Sequence, residues 1–175
     1  MAGKKLELGS TGRLVADNVA RLRKTAGLNY TELSIRLAKH GRDIPPLAVR
    51  RIEGGNRRVD VDDLVGLALA LEVSPSTLLL PKTETGDQSV AITGVDDSVE
   101  ARRMWRWLLA EFPLTVDTGE AVAGFLLRAN PAWLIGPDNE IDVIQSRSTP
   151  NTTRIVRKFG RNKFLEQTDL RNENG

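Results

Sequence analysis

Two adjacent arginines, Arg50 and Arg51, have the residue type and spacing that point most directly to chemistry. They lie in residues 46–53, where a helix is predicted after two prolines that are tolerated only at a helix start. The apolar residues of this stretch share one side of a helical wheel, namely Ala48, Val49 and Ile52. Leu47 shares the opposite side with the two arginines. A guanidinium can bind phosphate or guanine with two parallel hydrogen bonds, so this side of the helix is predicted to bind nucleic acid. The alternative interpretation is an ordinary solvated helix face.

The distribution of charge along the chain supports a polyanionic partner. Residues 1–58 carry 13 basic and 5 acidic side chains, a net charge of +8, whereas residues 59–146 carry a net charge of −10 and residues 147–175 one of +4. A basic first third beside an acidic middle is typical of a protein that presents one face to nucleic acid. The 18 arginines against 7 lysines suit bidentate contacts, although a GC-rich genome would give the same ratio.

Other kinds of chemistry have little support in the sequence. The chain has no cysteine, which excludes disulfides, thiolate zinc sites and thiol catalysis and suits a reducing compartment, the cytoplasm in the simplest case. His40 is the only histidine, and no serine or carboxylate is spaced to make it catalytic. Asp60, Asp62 and Asp63 do not continue into a calcium loop, so helix capping explains them. With no Walker or dinucleotide glycine motif either, we expect no enzymatic activity, no cofactor and no metal.

The length and hydropathy of the chain limit its architecture. At 175 residues it has room for one compact domain with appendages or for two small domains. Hydrophobic residues make up 40% and charged residues 27%, which is close to average globular usage. The longest apolar run, residues 64–71, is far shorter than the ~20 residues of a membrane span, so no membrane partner is expected.

Helices with clear start and stop signals surround the arginine pair. A first helix is predicted from Thr11 to just before Gly27, a natural C′ residue. Asn29 and Glu32 have the spacing of a capping box for a second helix, with Leu28 placed to staple onto Leu33. That helix ends near residues 40–43, after which the prolines begin the third.

Two further helices are predicted after the pair Gly54-Gly55. The aspartates at residues 60–63 favour the start of a fourth helix, whose apolar stripe consists of Leu64, Leu67, Ala68 and Leu71. Ser74 and Pro75 predict the cap and first position of a short fifth helix over residues 76–80, closed by Pro81.

These segments together resemble the Xre family of five-helix regulators, which includes the lambdoid phage repressors and Cro-like proteins. The residues that carry the resemblance are Leu-Asn-Tyr-Thr-Glu-Leu at 28–33, Val-Arg-Arg-Ile-Glu-Gly-Gly at 49–55, and residues 67–73 with Leu78-Leu79 after them. The resemblance covers residues 13–81. It implies a mainly α protein with a helix-turn-helix domain over residues 11–81, whose third helix lies in the DNA major groove.

The resemblance also implies roles for individual residues. The base-reading positions fall on Tyr30, Pro46, Leu47, Arg50 and Arg51. The phosphate-contacting positions fall on Thr31, Asn56, Arg57 and Arg58. Arg23 and Glu53 correspond to a structural ion pair. The turn between the second and third helices is longer than usual for the family. Pro46 and Leu47 also replace polar residues that contact bases in the family. Direct recognition of bases is therefore expected only from the two arginines and from an apolar contact with a thymine methyl group.

The second half of the chain has weaker signals. Residues 82–97 have the composition of a linker. Asp97 and Glu100 are spaced as a capping box for an amphipathic helix whose apolar stripe ends at Phe112, with Trp107 off that stripe. Another helix is predicted over residues 119–129. We expect residues 98–146 to form a region for dimerisation or partner binding, and its interface candidates are Met104, Trp105, Trp107, Leu108, Phe112 and Phe125.

The ends of the chain are predicted to lack a packed core. Residues 1–10 form a short basic arm. Residues 140–145 alternate weakly and are consistent with a short strand, whereas residues 147–175 are polar and basic and predict a mobile tail.

Two classes of function follow from the sequence. The first is a sequence-specific transcriptional regulator, acting as a repressor, that binds double-stranded DNA as a homodimer; a small-molecule or protein effector is left open. The second is a protein-binding module, antitoxin-like or a regulatory partner, which keeps the helix-turn-helix fold. Net charge favours the first, and burial of the outer side of the third helix by the C-terminal half would favour the second.

Overall fold

A computed structural model describes residues 7–115, 119–134, 141–144, 152–157 and 166–171, with side chains over residues 7–115 and 121–134. The chain divides into two compact units, the N-terminal unit Met1–Trp105 and the C-terminal unit Arg106–Gly175. The described residues are mainly helical with short strands, as the sequence predicts. None of their helices has the length and hydrophobicity needed to cross a membrane.

The N-terminal unit contains the five predicted helices, close to their predicted ends. They are α1 (Ser10–Thr25), α2 (Tyr30–Lys39), α3 (Pro46–Glu53), α4 (Val61–Ala70) and α5 (Pro75–Leu79). The capping box of α2 is present: Glu32 N donates to Asn29 Oδ1 at 2.9 Å, and Asn29 N donates to Glu32 Oε2 at 2.7 Å. Asp60 and Ser74 accept hydrogen bonds from the first turns of α4 and α5. Local capping therefore defines where three of these helices begin.

The five helices enclose one hydrophobic core. Helix α3 packs against α1 and α2, while α5 packs against α1 and α4. The largest fully buried apolar side chains come from all five helices, namely Val19, Leu33, Leu37, Val49, Ile52, Leu67 and Leu78. Because Val49 and Ile52 are both 0% exposed, the inner side of α3 is fixed in the core and its opposite side faces outward.

The stretch predicted as a linker, residues 82–97, is folded. Strand β1 (Ser89–Val90) pairs antiparallel with β2 (Val99–Glu100), and the side chains of Val90 and Ile92 are buried. Composition alone predicted a linker here because threonine, glycine, aspartate and serine are common in hairpin turns as well as in linkers. Two buried apolar residues are too few to show a periodic pattern.

The same stretch caps α1 from a distance. Gly9, the N-cap residue of α1, has no side chain to accept a hydrogen bond. Thr93 supplies the acceptor, because Thr11 N donates to Thr93 Oγ1 at 3.2 Å and Thr93 N donates to Thr11 Oγ1 at 3.0 Å. Residues 88–95 are therefore part of the N-terminal unit.

Helix α6 (Ala101–Leu108) is shorter than predicted and starts differently. Glu100 lies in β2, so it does not form a capping box with Asp97. The helix ends before Phe112 because Ala110 adopts a left-handed φ of 57°, with Ala110 N donating to Trp107 O at 3.0 Å. The apolar period continues in the sequence beyond this turn, which is why periodicity alone extended the helix.

The C-terminal unit contains the second predicted helix, α7 (Gly119–Ala129). Its small apolar cluster consists of Phe112, Val122 and Leu126, with Phe125 packed against them. Asn130 follows the helix and donates from Nδ2 to Leu126 O at 3.0 Å and to Ala110 O at 2.9 Å.

Three strands form an antiparallel sheet in the order β3-β4-β5, namely β3 (Ile141–Ile144), β4 (Thr152–Arg157) and β5 (Glu166–Arg171). Ile141 is opposite Arg157 in one pair, and Thr152 is opposite Arg171 in the other. The short strand predicted within residues 140–145 is present. The prediction of a mobile tail over residues 147–175 is wrong for β4 and β5, because strand pairing joins backbone groups that polar composition does not reveal.

Candidate nucleic-acid interface

The outward side of α3 consists of Leu47, Arg50 and Arg51, which we call the outer face of α3. Leu47 is 59% exposed, and both arginines are exposed. Neither arginine forms an ion pair with an acidic side chain among the described residues. The helix begins at Pro46, where proline needs no N–H partner, and ends at Glu53, with Gly54 as its C-cap residue. The outer face of α3 is thus a short cationic surface with one apolar residue.

The outer face of α3 borders an open groove of 450 Å³. The other residues that line the groove come from α1, the start of α2 and the end of α3 with the turn after it, namely Ala20, Lys24, Tyr30, Glu53, Gly54 and Asn56. Lys24 is exposed in the last turn of α1, and sequence reasoning missed it. No local pattern could have found Lys24, because its place beside α3 follows only from the packing of α1 on α3.

The groove brings together most of the predicted base-reading residues. Tyr30, Leu47, Arg50 and Arg51 all line it, whereas Pro46 is half-buried and does not. The ring of Tyr30 is itself half-buried, with Arg23 Cζ 4.2 Å from its centroid. At this distance the guanidinium and the ring attract each other through a cation–π interaction.

The ion pair implied by the resemblance is present and buried. Arg23 Nε donates to Glu53 Oε1 at 2.6 Å, and Arg23 Nη2 donates to Glu53 Oε2 at 2.9 Å. The side chains are 8% and 7% exposed, and Arg23 Nη1 also donates to Leu28 O at 2.7 Å. The hydrogen bond to Glu53 raises the pKa of Arg23 above its ordinary value. This bidentate pair joins the end of α1 to the last residue of α3.

The predicted phosphate-contacting residues divide into two groups. Thr31, Asn56 and Arg58 are exposed, and Asn56 also lines the groove. Arg57 instead turns towards the protein: its side chain is 33% exposed, and its Nη2 lies 2.8 Å from Asp63 Oδ2. Arg57 therefore has a partner inside the protein that the sequence did not indicate.

The acidic start of α4 also differs from the sequence interpretation. Asp60 caps the helix, since Asp63 N donates to Asp60 Oδ1 at 2.7 Å. Asp63 is fully buried and faces two arginines, so capping does not explain it. Only the packing of distant loops on α4 creates this environment.

Five of the six predicted interface residues of the second half are wholly or partly covered within the chain. Met104 and Phe112 are 1% and 2% exposed, and Trp107, Leu108 and Phe125 are half-buried. Trp105 is 37% exposed. The sequence pattern places Trp107 off the apolar stripe, but in the structure Trp105 is more exposed than Trp107.

Comparisons of this chain with protein-family models, curated proteins and solved structures find no match. Among the described residues there is also no group of three or more histidine and acidic side chains arranged to hold a metal ion. The geometry of the groove and of the outer face of α3 is therefore what supports a function.

Proposed function

We propose that this protein is a sequence-specific regulator of transcription that binds double-stranded DNA with α3 in the major groove. The observation that carries the proposal is the outer face of α3, where Arg50 and Arg51 are exposed without an acidic partner among the described residues. The order of five helices in the N-terminal unit supports an Xre-type domain as part of this proposal.

The contrast with neighbouring arginines supports this proposal. Arg23 and Arg57 each form an ion pair with a buried carboxylate. Glu53 is the acidic residue nearest to the outer face of α3 in the sequence, and it is already paired with Arg23. Arg50 and Arg51 are thus available to an external anion. A helix with side chains is about 10 to 12 Å wide and the major groove of B-DNA is about 12 Å wide, so α3 fits there.

The chemistry of the outer face suggests what it reads. Arg50 and Arg51 are suited to bidentate hydrogen bonds with O6 and N7 of guanine, and Leu47 is suited to an apolar contact with the methyl group of thymine. Lys24 lies beside them in the groove, where it can meet a backbone phosphate. These contacts define a short half-site.

The direct test is selection of duplexes from a random library by the full chain, followed by binding measurements over a range of salt concentrations. We expect enrichment of a short motif with guanines, and tighter binding to it than to random duplex. The double variant Arg50→Gln, Arg51→Gln should lose this preference. The matched control Arg36→Gln, Arg128→Gln changes the net charge equally at two positions outside the groove and should keep it.

Two copies of the chain are part of the proposal, because one helix-turn-helix unit reads few base pairs and two half-sites about 34 Å apart give specific affinity. Trp105 is the exposed member of the predicted interface residues. Sedimentation of the full chain should show a dimer at micromolar concentration, and Trp105→Ser should weaken it. A monomeric full-length protein that still binds a two-fold symmetric site tightly would contradict this part.

A protein-binding role is the second candidate, and one observation favours it. Helix α4 exposes apolar side chains at successive turns: Val61 is 77% exposed, Val65 45% and Leu69 51%. Exposed apolar residues that line up on one helix are typical of an interaction surface. A chain that shows no salt-dependent binding to any duplex would favour this candidate over DNA binding.

A further inference from the structure

Asp63 in the first turn of α4 meets one arginine from each side of α3. Arg42 lies in the turn before α3, residues 40–45, and Arg57 lies in the loop after it, residues 54–60. Arg42 Nη2 donates a hydrogen bond to Asp63 Oδ1, and Arg57 Nη2 lies 2.8 Å from Asp63 Oδ2. One carboxylate oxygen of Asp63 therefore faces the arginine that precedes α3 in the sequence, and the other oxygen faces the arginine that follows α3.

Because Asp63 is buried, its contacts with both arginines are important for the stability of this region. Its side chain is 1% exposed, and a buried carboxylate is strongly unfavourable unless opposite charges and hydrogen bonds compensate it. Arg57 Nη2 approaches Oδ2 as an ion pair without hydrogen-bond alignment, so the attraction there is chiefly electrostatic. Displacement of either flank would leave the buried charge with one partner.

A glycine in α4 provides the space that the Arg42 side chain occupies on this helix. Gly66, one turn after Asp63, is buried beneath the Arg42 side chain. A Cβ atom at this position would lie 2.6 Å from Arg42 Cγ and 3.2 Å from Arg42 Cβ. Glycine is unfavourable inside a helix, and at this position it lets the stem of Arg42 lie directly on α4.

The turn before α3 is also tied to α2. Ile44 is 2% exposed in the core, and Ser34 Oγ donates to Ile44 O at 2.7 Å. The turn that is long for an Xre-type domain thus contains both an apolar anchor, Ile44, and a charged one, Arg42. Neither anchor reaches the outer face of α3.

We infer that Asp63 is a positioning residue that sets the pose of α3 by holding the turn before it and the loop after it on α4. This inference rests on the proposed function, because the pose matters for reading bases. Asp63 does not touch the DNA. Its removal should therefore impair discrimination between sequences more than attraction to DNA, since the exposed cations that attract any duplex remain.

The test compares Asp63→Asn with Asp62→Asn in the full chain. Asp62 is the adjacent residue, its side chain is 81% exposed, and it lies 4.0 Å from Arg42, so its substitution removes the same charge without opening the buried contact. The measured quantity is the ratio of the Kd for random duplex to the Kd for the selected site. Asp63→Asn should lower this ratio about tenfold, the size of one lost base contact, and Asp62→Asn should leave it nearly unchanged.

A second variant keeps the carboxylate and serves if Asp63→Asn does not fold. Gly66→Ala should displace Arg42 alone, so the ratio should fall while the loop after α3 stays in place. Val65→Ala, at the exposed neighbouring position, is its control. Val65→Ala should leave the ratio unchanged, because this side chain is 45% exposed.

Hydrogen exchange without DNA separates failure of this inference from failure of the proposed function. Asp63→Asn should speed amide exchange in residues 40–45 and 54–60, Gly66→Ala in residues 40–45 only, and the two controls in neither. Equal exchange in Asp63→Asn and Asp62→Asn would overturn the role of Asp63, whatever the DNA result. The exchange results can match these expectations while the wild-type chain fails to discriminate between duplexes. In that case the proposed function fails, but the role of Asp63 in holding the turn before α3 and the loop after it on α4 remains.

Discussion

The N-terminal unit contains arginines in two different environments. Arg23, Arg42 and Arg57 each face a carboxylate that is buried in the unit, whereas Arg50 and Arg51 point away from the core. Arg42 lies eight residues before Arg50 in the sequence, and Arg57 lies six residues after Arg51. The comparison shows that the residue type alone does not indicate the role of an arginine here, because a buried acidic partner decides whether it stabilises the fold or remains available to a ligand.

The energetic difference between the two environments is large. Breaking a buried ion pair leaves an uncompensated charge in a medium of low polarity and is strongly destabilising. Removing an exposed arginine without a partner changes the free energy of unfolding little. Substitutions in the two sets should therefore separate into effects on stability and effects on binding.

The largest effect is expected at the Arg23–Glu53 pair. Arg23→Met should lower the free energy of unfolding by about 3 to 5 kcal/mol, because Glu53 would remain buried and unpaired. The double variant Arg23→Met, Glu53→Leu should recover most of this loss. Urea denaturation of both single variants and the double variant measures the coupling, and additive losses would show that the pair does not act as a unit.

A smaller effect, on binding instead of stability, is expected at the outer face of α3. Arg50→Ala and Arg51→Ala should each weaken binding to the selected site by about 1 to 3 kcal/mol, because a contact with a guanine edge is lost. Their free energies of unfolding should stay within about 0.5 kcal/mol of wild type. Equal losses on selected and random duplexes would place both residues on phosphates and not on bases.

The smallest effect distinguishes Arg57 from Arg58. Arg58 is exposed, so Arg58→Ala should flatten the dependence of log K on log salt by about 0.9 for one lost phosphate contact. Arg57→Ala should leave this slope unchanged, because Arg57 is directed to Asp63. Binding isotherms at several salt concentrations measure both slopes, and a flatter slope for Arg57→Ala would show that Arg57 leaves Asp63 when DNA binds.

The helices of the N-terminal unit could be predicted because their signals are local. Asn29 and Glu32 satisfy each other within one turn, and the inward residues of α3 recur with the helical period. The hairpin and the sheet could not be predicted in this way. Val90 pairs with Val99, and Thr152 pairs with Arg171, through backbone groups whose partners no local pattern identifies.

The sequence by itself determined the five helices, the outward direction of Leu47, Arg50 and Arg51, and the chemistry that these side chains can perform, because period and capping act over a few residues. The resemblance already implied the Arg23–Glu53 pair, but only the tertiary structure showed that Arg42 and Arg57 are paired with Asp63. Asp63 becomes buried only when residues 40–45 and 54–60 fold onto α4, and this burial turns Arg57 inward. Burial depends on residues that are distant in sequence, and burial sets the strength of each charge interaction.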